Sequence, residues 1–311
     1  MSIDHPTQPI VSRRSFLGGA AMCAAGLAAG ERAAAADAPT RPEAPPEDYR
    51  IQNGRIKQSV MTWIFKMQAD EMMQVCHRMG MAGIEGVGTG KDVVEKARKL
   101  GLTVSNAGST SFKNAPLNRD HHEGYLAALR KSIDNAAAVG IPNMILFTGY
   151  REKGISDDQG KRNCIEAWKK IAPYAEEKKV TLCLEILNSR DASGWMTGHP
   201  GYFGDDVDRC ADMIRAVGSP RVKLLFDIYH VQVMNGDLVR RIHQYKEIIG
   251  HVHTAGVPGR HEIDGSQEIN YPAVMRALLE IGYQGYVAHE FVPTWPDKLA
   301  ALRYAVRLCD V

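Results

Sequence analysis

Eight short apolar runs alternate with amphipathic stretches from Tyr49 to the end of the chain. The runs are IKQSVMTW (56–63), GIEGVG (83–88), LTVSNAG (102–108), NMILFTG (143–149), VTLCLEIL (180–187), VKLLFDIY (222–229), IGHVHTA (249–255) and GYVAHEF (285–291). Helix-patterned segments follow each of them: ADEMMQVCHRMG, KDVVEKARKLG, HEGYLAALRKSIDNAAAVG, QGKRNCIEAWKKIAPYAEEKK, DDVDRCADMIRAVG, GDLVRRIHQYKEIIG, YPAVMRALLEIG and DKLAALRYAVRL. Many of these end in Gly, the residue that most readily takes the left-handed conformation closing a helix. Several strand runs are continuously apolar, as a parallel sheet covered on its faces requires. Eight strand–helix units over about 260 residues predict an α/β fold, a (β/α)8 TIM barrel, which takes about 250 residues. A doubly wound open sheet is the other candidate, but no Gly-rich dinucleotide loop follows the first run.

Four of the runs close on a side chain that is costly to bury alone: Glu185, Asp227, His253 and Glu290. A carboxylate at the end of a buried strand needs a charged partner. In a barrel these ends belong to strands five to eight and share one arc of the mouth, where barrel chemistry sits. Brought together, three carboxylates and one imidazole suit a divalent cation, with Mn2+ or Mg2+ preferred. A structural zinc site would favour Cys and His. Taken singly, Asp227 also fits a capped turn and His253 a satisfied core histidine. His251 lies two residues before His253 and faces the same side of the strand, so it is either a spare ligand or a barrel-layer residue.

The N-terminus changes the expected location. Ser12-Arg13-Arg14-Ser15-Phe16-Leu17 precedes the small apolar stretch GGAAMCAAGLAAG. This order resembles a bacterial twin-arginine signal, with Ala-x-Ala spacing ending near Ala36. The run is too short and Gly-rich to span a bilayer stably, and Met22 before Cys23 fits a lipid anchor poorly. The expected organisation is a signal peptide over 1–36, a Pro- and Ala-rich linker over 37–50 and the barrel over 51–311. The expected location is periplasmic or secreted, reached folded through the twin-arginine export machinery. The remaining cysteines, Cys76, Cys164, Cys183, Cys210 and Cys309, form no CxxC and indicate neither a zinc knuckle nor a disulfide framework. With 38 basic and 36 acidic residues, the chain carries no electrostatic footprint for nucleic acid.

LEILNSRD, FDIYHVQ, GHVHTAGVPGRHE, EINYP and the final HEF resemble the hydroxypyruvate isomerase branch of the xylose isomerase-like TIM barrels, to which the ketose 3-epimerases are related. The resemblance runs from about Ile56 to the end, and PGRHE followed by EINYP is its most specific part. It implies that Glu185, Asp227, His253 and Glu290 bind the metal and that Glu185 and Glu290 are the catalytic proton-transfer pair. It also implies substrate contacts from His230 and Arg260, and a substrate-binding or orienting role for Asn188 and Arg190. The sequence departs from that branch at His253, where Gln is common and His is the epimerase choice, and at IDGSQ, where a Gly-rich turn is usual. Both departures bear on the substrate. Glu85 and Trp63 close or follow other strand runs and are candidates for the pocket lining, Trp63 equally for the core. His230 and Arg260 alone read also as a helix-start histidine and a surface ion pair.

The chemistry implied is isomerisation or epimerisation of a small hydroxy-ketone or sugar through an enediolate. One Glu removes the proton beside the carbonyl and the other returns it, while a metal polarises the carbonyl. Three alternatives stand beside it. One is an exported lyase or hydrolase of oxidised (keto) glycosides, and another is a secreted sugar-binding protein without turnover. The third is a DNA-repair endonuclease, disfavoured by the balanced charge. A homo-oligomer is expected from the resemblance alone.

Overall fold

The computed structural model describes residues 41–108 and 111–311. The expected signal peptide lies outside them, as do the first residues of the expected linker. Eight parallel strands run in chain order: β1 (Lys57–Val60), β2 (Gly83–Glu85), β3 (Thr103–Asn106), β4 (Asn143–Leu146), β5 (Thr181–Glu185), β6 (Val222–Asp227), β7 (Ile249–Thr254) and β8 (Tyr286–His289). Six of them pair in the order β1-β8-β7-β6-β5-β4, and β2 pairs with β3. Single parallel bridges, Met61 with Glu85 and Ala107 with Met144, join the two pieces and close the barrel. The predicted (β/α)8 class is therefore the observed one. Strands β2, β4 and β5 are buried at every residue, in keeping with their unbroken apolar runs.

The helices are α1 (Thr62–Phe65), α2 (Ala69–Met79), α3 (Lys91–Lys99), α4 (His122–Val139), α5 (Asp157–Lys178), α6 (Val207–Val217), α7 (Ile228–Met234), α8 (Leu238–Gln244), α9 (Tyr271–Glu280) and α10 (Lys298–Leu308). Three close on a left-handed glycine, Gly80, Gly140 and Gly218, as the sequence suggested. All eight runs extend past their strands, and two of them pass into a helix. Met61 ends the first, and α1 starts at Thr62. The sixth stops at Asp227 because its carboxylate accepts the backbone N–H of His230, 2.9 Å away, and caps α7. The expected helix over 236–250 ends at Gln244, because β7 begins at Ile249.

The described part of the expected linker lies against α10. The Pro45 carbonyl accepts from Arg303 and the Glu43 carbonyl from Arg307. All five cysteines of the barrel are buried free thiols.

Candidate functional site

Strand register builds the site. Asp227 and His253 are direct partners across β6 and β7. Glu185 ends β5, and Glu290 follows β8 with its N–H bonded to the Thr254 carbonyl at 3.0 Å. The four side chains converge, each offering a ligand atom within 4.8 Å of every other. Nδ1 of His253 is their centre, at 2.7 Å from Glu290, 3.4 Å from Glu185 and 3.9 Å from Asp227. None of the three carboxylates meets Nδ1 along a hydrogen-bond direction, so this buried atom has no hydrogen-bond partner. Asp227 serves two ends: one oxygen caps α7 while the other faces His253.

The electrostatics is that of crowded acids. Burial raises Asp227 to about 7, with Glu290 and Glu185 adding to the rise against Arg260 and His253. Burial also raises Glu185, and the Glu290 charge reinforces it. For Glu290 burial pulls upward too, but Arg260 and His253 outweigh it and hold the carboxyl down at about 2. Burial works against a charged His253, yet Glu290, Glu185 and Glu85 together hold it protonated well above the ordinary histidine range. Three carboxylates around an imidazole nitrogen that lacks a hydrogen bond are a donor set that fits a hard divalent cation. A bound ion would relieve the repulsion that a proton now relieves.

The other ring nitrogen of His253 faces inward. Nε2 is 3.2 Å from Glu85, whose second oxygen lies 2.8 Å from Nε2 of His251 and accepts from the Ser105 hydroxyl at 2.8 Å. The expectation that Glu85 lines the pocket is corrected: it is fully buried in the barrel interior, behind the four convergent residues. Burial alone would raise it, but His251 and His253 hold it below the usual carboxylate range. An outer carboxylate accepting from Nε2 fixes the tautomer that leaves Nδ1 free for a metal. His251 is thereby a barrel-layer partner of Glu85 and not a spare ligand.

Above the three acids and the imidazole opens a cavity of about 260 Å³, lined by residues that include Trp63, Phe112, Phe147, Met196, His199 and Arg260. Of the four convergent residues only Glu185 and Glu290 line it. Trp63 is a wall residue, 39% exposed, and not part of the core. Arg260 is buried and donates from Nη2 to Glu290 at 2.7 Å and from Nη1 to the Met196 carbonyl at 3.0 Å. It is thus neither a surface ion pair nor held by substrate alone, and its Nε is left without a partner. Its backbone is left-handed, φ 60°, an uncommon state for a residue with a side chain.

His230 is fully buried and uncharged, because burial and the Arg260 charge lower it well below the usual range. Nδ1 accepts the Asn188 N–H at 3.0 Å, which assigns the ring proton to Nε2, an atom with no hydrogen-bond partner, 4.0 Å from Asp227. Asn188 was expected to touch substrate. Instead its side chain is spent internally, donating to the Thr197 carbonyl, meeting His230 Nδ1 at 2.7 Å and accepting from Asp191 N–H. Arg190 turns away to the Val233 carbonyl.

His199 escaped the sequence reading. It lines the cavity, stacked on Phe112 with ring centres 5.5 Å apart. Burial, aided by Arg260, lowers it to about 4, so it is neutral at physiological pH. The loop carrying it is tightly folded. A Cβ on Gly198 would sit 2.1 Å from the Asp191 carbonyl oxygen and 2.5 Å from Oδ1 of Asn188. Glu262 of the PGRHE segment accepts from the backbone N–H groups of Thr294 and Trp295, just beyond Glu290.

The profile of the family described as xylose isomerase-like TIM barrel matches residues 70–307. A hydroxypyruvate isomerase of Escherichia coli K12 is 28% identical over 185 residues, 60% of this chain and 67% of that protein. The structure of an AP endonuclease, family 2, from Brucella melitensis superposes with a TM-score of 0.67 at 23% identity, covering 78% of this chain and 96% of that one. A 3-keto-D-glucoside 4-epimerase from E. coli gives a TM-score of 0.67 at 18% identity, covering 82% and 100%. At such identities the two structures speak for the fold alone.

Proposed function

The chain belongs to the xylose isomerase-like TIM barrel family, and on that premise we propose that it is a metal-dependent isomerase or epimerase of a small hydroxy-ketone or sugar. The observation that carries this reading is the division of labour among the four convergent residues. All four fit a divalent cation, but only Glu185 and Glu290 also line the cavity. A binding protein needs no such pair of bases facing its ligand.

Glu185, Asp227, His253 and Glu290 would hold the ion. When bound, it would polarise a substrate carbonyl and neutralise the charge that develops as the adjacent carbon loses its proton. Mn2+ or Mg2+ suits the oxygen-rich set. Glu185 is the better proton acceptor, because burial and its neighbours raise its basicity. Glu290, kept ionised by Arg260, faces the same space and exchanges a proton with the other side of the carbon. His230 offers a proton on Nε2 to a substrate oxygen. The aromatic and thioether walls exclude water from the deprotonated substrate.

The test is solvent exchange. Metal-loaded protein is incubated in heavy water with hydroxypyruvate and a panel of ketoses, and the carbon beside the carbonyl is followed by NMR. The reading expects deuterium there, lost on metal removal and in Glu185→Gln and Glu290→Gln with the fold intact. Near-normal exchange in either purified variant would sink the assignment. Export through the twin-arginine route, which would let the ion be loaded before export, is part of the proposal. It is tested by finding the chain shortened near Ala36 in the periplasm.

A further inference from the structure

Four large hydrophobic side chains are exposed among the described residues, and three of them gather at the cavity mouth. Trp63 lines the cavity, and Trp195, 57% exposed, meets it edge-on with ring centres 6.0 Å apart. Tyr150, 37% exposed, packs at 5.6 Å on Phe112, and its hydroxyl lies 3.5 Å from Nδ1 of His199. Both Phe112 and His199 are lining residues. Two aromatic sets therefore lead outward from the cavity lining, Phe147–Phe112–Tyr150 and Trp63–Trp195. Single exposed apolar side chains are ordinary; a cluster at a cavity mouth marks a surface that is covered on binding.

The rim is held in place. The carbonyl of Met196, next to Trp195, accepts from Arg260, and that of Thr197 accepts from Asn188 and from the Tyr229 hydroxyl. The Lys66 ammonium stands 5.7 Å over the Trp195 ring. Trp63 packs on Gly86, where a Cβ would lie 2.7 Å from its ring. Rigid indoles beside an acidic, hydrogen-bonding pocket suit a ligand with hydroxyls on its edge and an apolar C–H face. A sugar ring has that form. A three-carbon acid such as hydroxypyruvate would end inside the cavity and leave Trp195 bare.

We propose that Trp63, Trp195 and Tyr150 form an outer subsite for a second ring, so that the substrate is an oxidised (keto) glycoside of at least two rings. The keto sugar sits over Glu185 and Glu290, and the second ring lies against the indoles. The proposal rests on the isomerase or epimerase reading for the inner ring only; the outer subsite is separable from it.

Binding of cellobiose, glucose and hydroxypyruvate to the full chain, with metal and after metal removal, tests it through tryptophan fluorescence and saturation-transfer NMR. Cellobiose should bind at least about tenfold more tightly than glucose, equivalent to about 1.4 kcal/mol, with saturation strongest on one ring. Trp195→Ala should abolish that preference, and Trp63→Phe should reduce it should the first variant fold poorly. Equal affinity for the two sugars, no cellobiose binding at millimolar concentration, or a preference untouched by both variants would overturn the proposal. So would sedimentation showing a dimer that Trp195→Ala dissociates, since a second copy would then cover the rim. Cellobiose preference without deuterium exchange on any ketose would retain the subsite and reject the isomerase reading. Exchange with hydroxypyruvate and no cellobiose preference would do the reverse.

Discussion

Lowering the pH from 8 to 6 should weaken metal binding far more than simple carboxylate chelation would. An ion held by Asp227 and Nδ1 of His253 requires both to be free of protons. Asp227 sits at about 7 in the metal-free protein because burial, Glu290 and Glu185 raise it. His253 holds its proton well above the ordinary range, since Glu290, Glu185 and Glu85 outweigh its burial. Competition from a group at about 7 weakens apparent affinity about elevenfold at pH 6 and hardly at pH 8. Asp227 alone thus supplies about tenfold. His253, raised above the ordinary histidine range by its carboxylate neighbours, adds to the fall in the same direction. Calorimetric titration with Mn2+ at pH 6, 7 and 8, in buffers of different ionisation enthalpy, counts the protons directly. More protons should be released on binding at pH 6 than at pH 8, because Asp227 is largely protonated at the lower pH and largely ionised at the higher. A dissociation constant steady within about twofold, with no proton release, would refute the ligand set.

The same shifts give the metal-free fold a definite pH dependence. Asp227 binds its proton more tightly folded than unfolded, where its value is about 3.9. Its contribution is therefore most favourable below about 4 and declines as pH rises to about 7. The ceiling is about 4 kcal/mol for a rise of about three units. Glu290 acts oppositely: held at about 2, it stabilises above about 4.3 and loses that contribution as pH falls toward 2. The melting temperature of chelator-treated protein should rise from pH 8 to pH 5, and metal-loaded protein should lack that rise.

Further outcomes are expected at single residues. Glu85→Gln removes the charge opposite Nε2 of His253, and metal affinity measured by titration should fall about 10- to 100-fold while the metal-free melt changes little by comparison. Arg260→Met releases Glu290 from its cation, so the acid limb of the pH–rate profile should move upward and kcat/KM should fall; an unmoved limb would remove Arg260 from control of Glu290. Gly198→Ala forces a Cβ against the Asp191 carbonyl and should cost about 1–3 kcal/mol in denaturant unfolding, with KM rising as the His199 loop shifts.

How much was legible in the sequence follows from which forces are local. The strands were readable because most of their residues are buried and apolar, and the four convergent residues because each is a titratable side chain at the end of such a run. Asp227 had two readings, the convergent group and a capped turn, and both hold, since capping α7 and facing His253 use different oxygens of one carboxylate. Glu85 was misread because its partner, His251, lies 166 residues away across the barrel interior, a distance that no periodicity encodes. His199 and Trp195 sit in a loop with no repeating pattern. That loop is shaped by Asn188, Tyr229 and Arg260 through side chain-to-backbone bonds that no sequence periodicity marks.

The fold by itself chooses no chemistry, since an AP endonuclease and a sugar epimerase share it with this chain. The choice lies in how the buried charges are divided. Two clusters of acids and histidines meet at His253, Glu85–His251–His253 and Glu185–Asp227–His253–Glu290. They are not two equal ion sites. Both oxygens of Glu85 already accept hydrogen bonds from His251, His253 and Ser105, so the one carboxylate of the inner cluster is satisfied by the protein itself, although Nδ1 of His251 has no hydrogen-bond partner. The outer cluster leaves Nδ1 of His253 without a hydrogen bond among three carboxylates, a set completed by one ion. The chain carries a formal charge of only +2, which gives little attraction for a phosphate backbone. An ion held there, beneath two cavity-facing glutamates, would suit the proposed proton transfer at a carbon beside a carbonyl. The aromatic rim then bears on which sugar is brought to it.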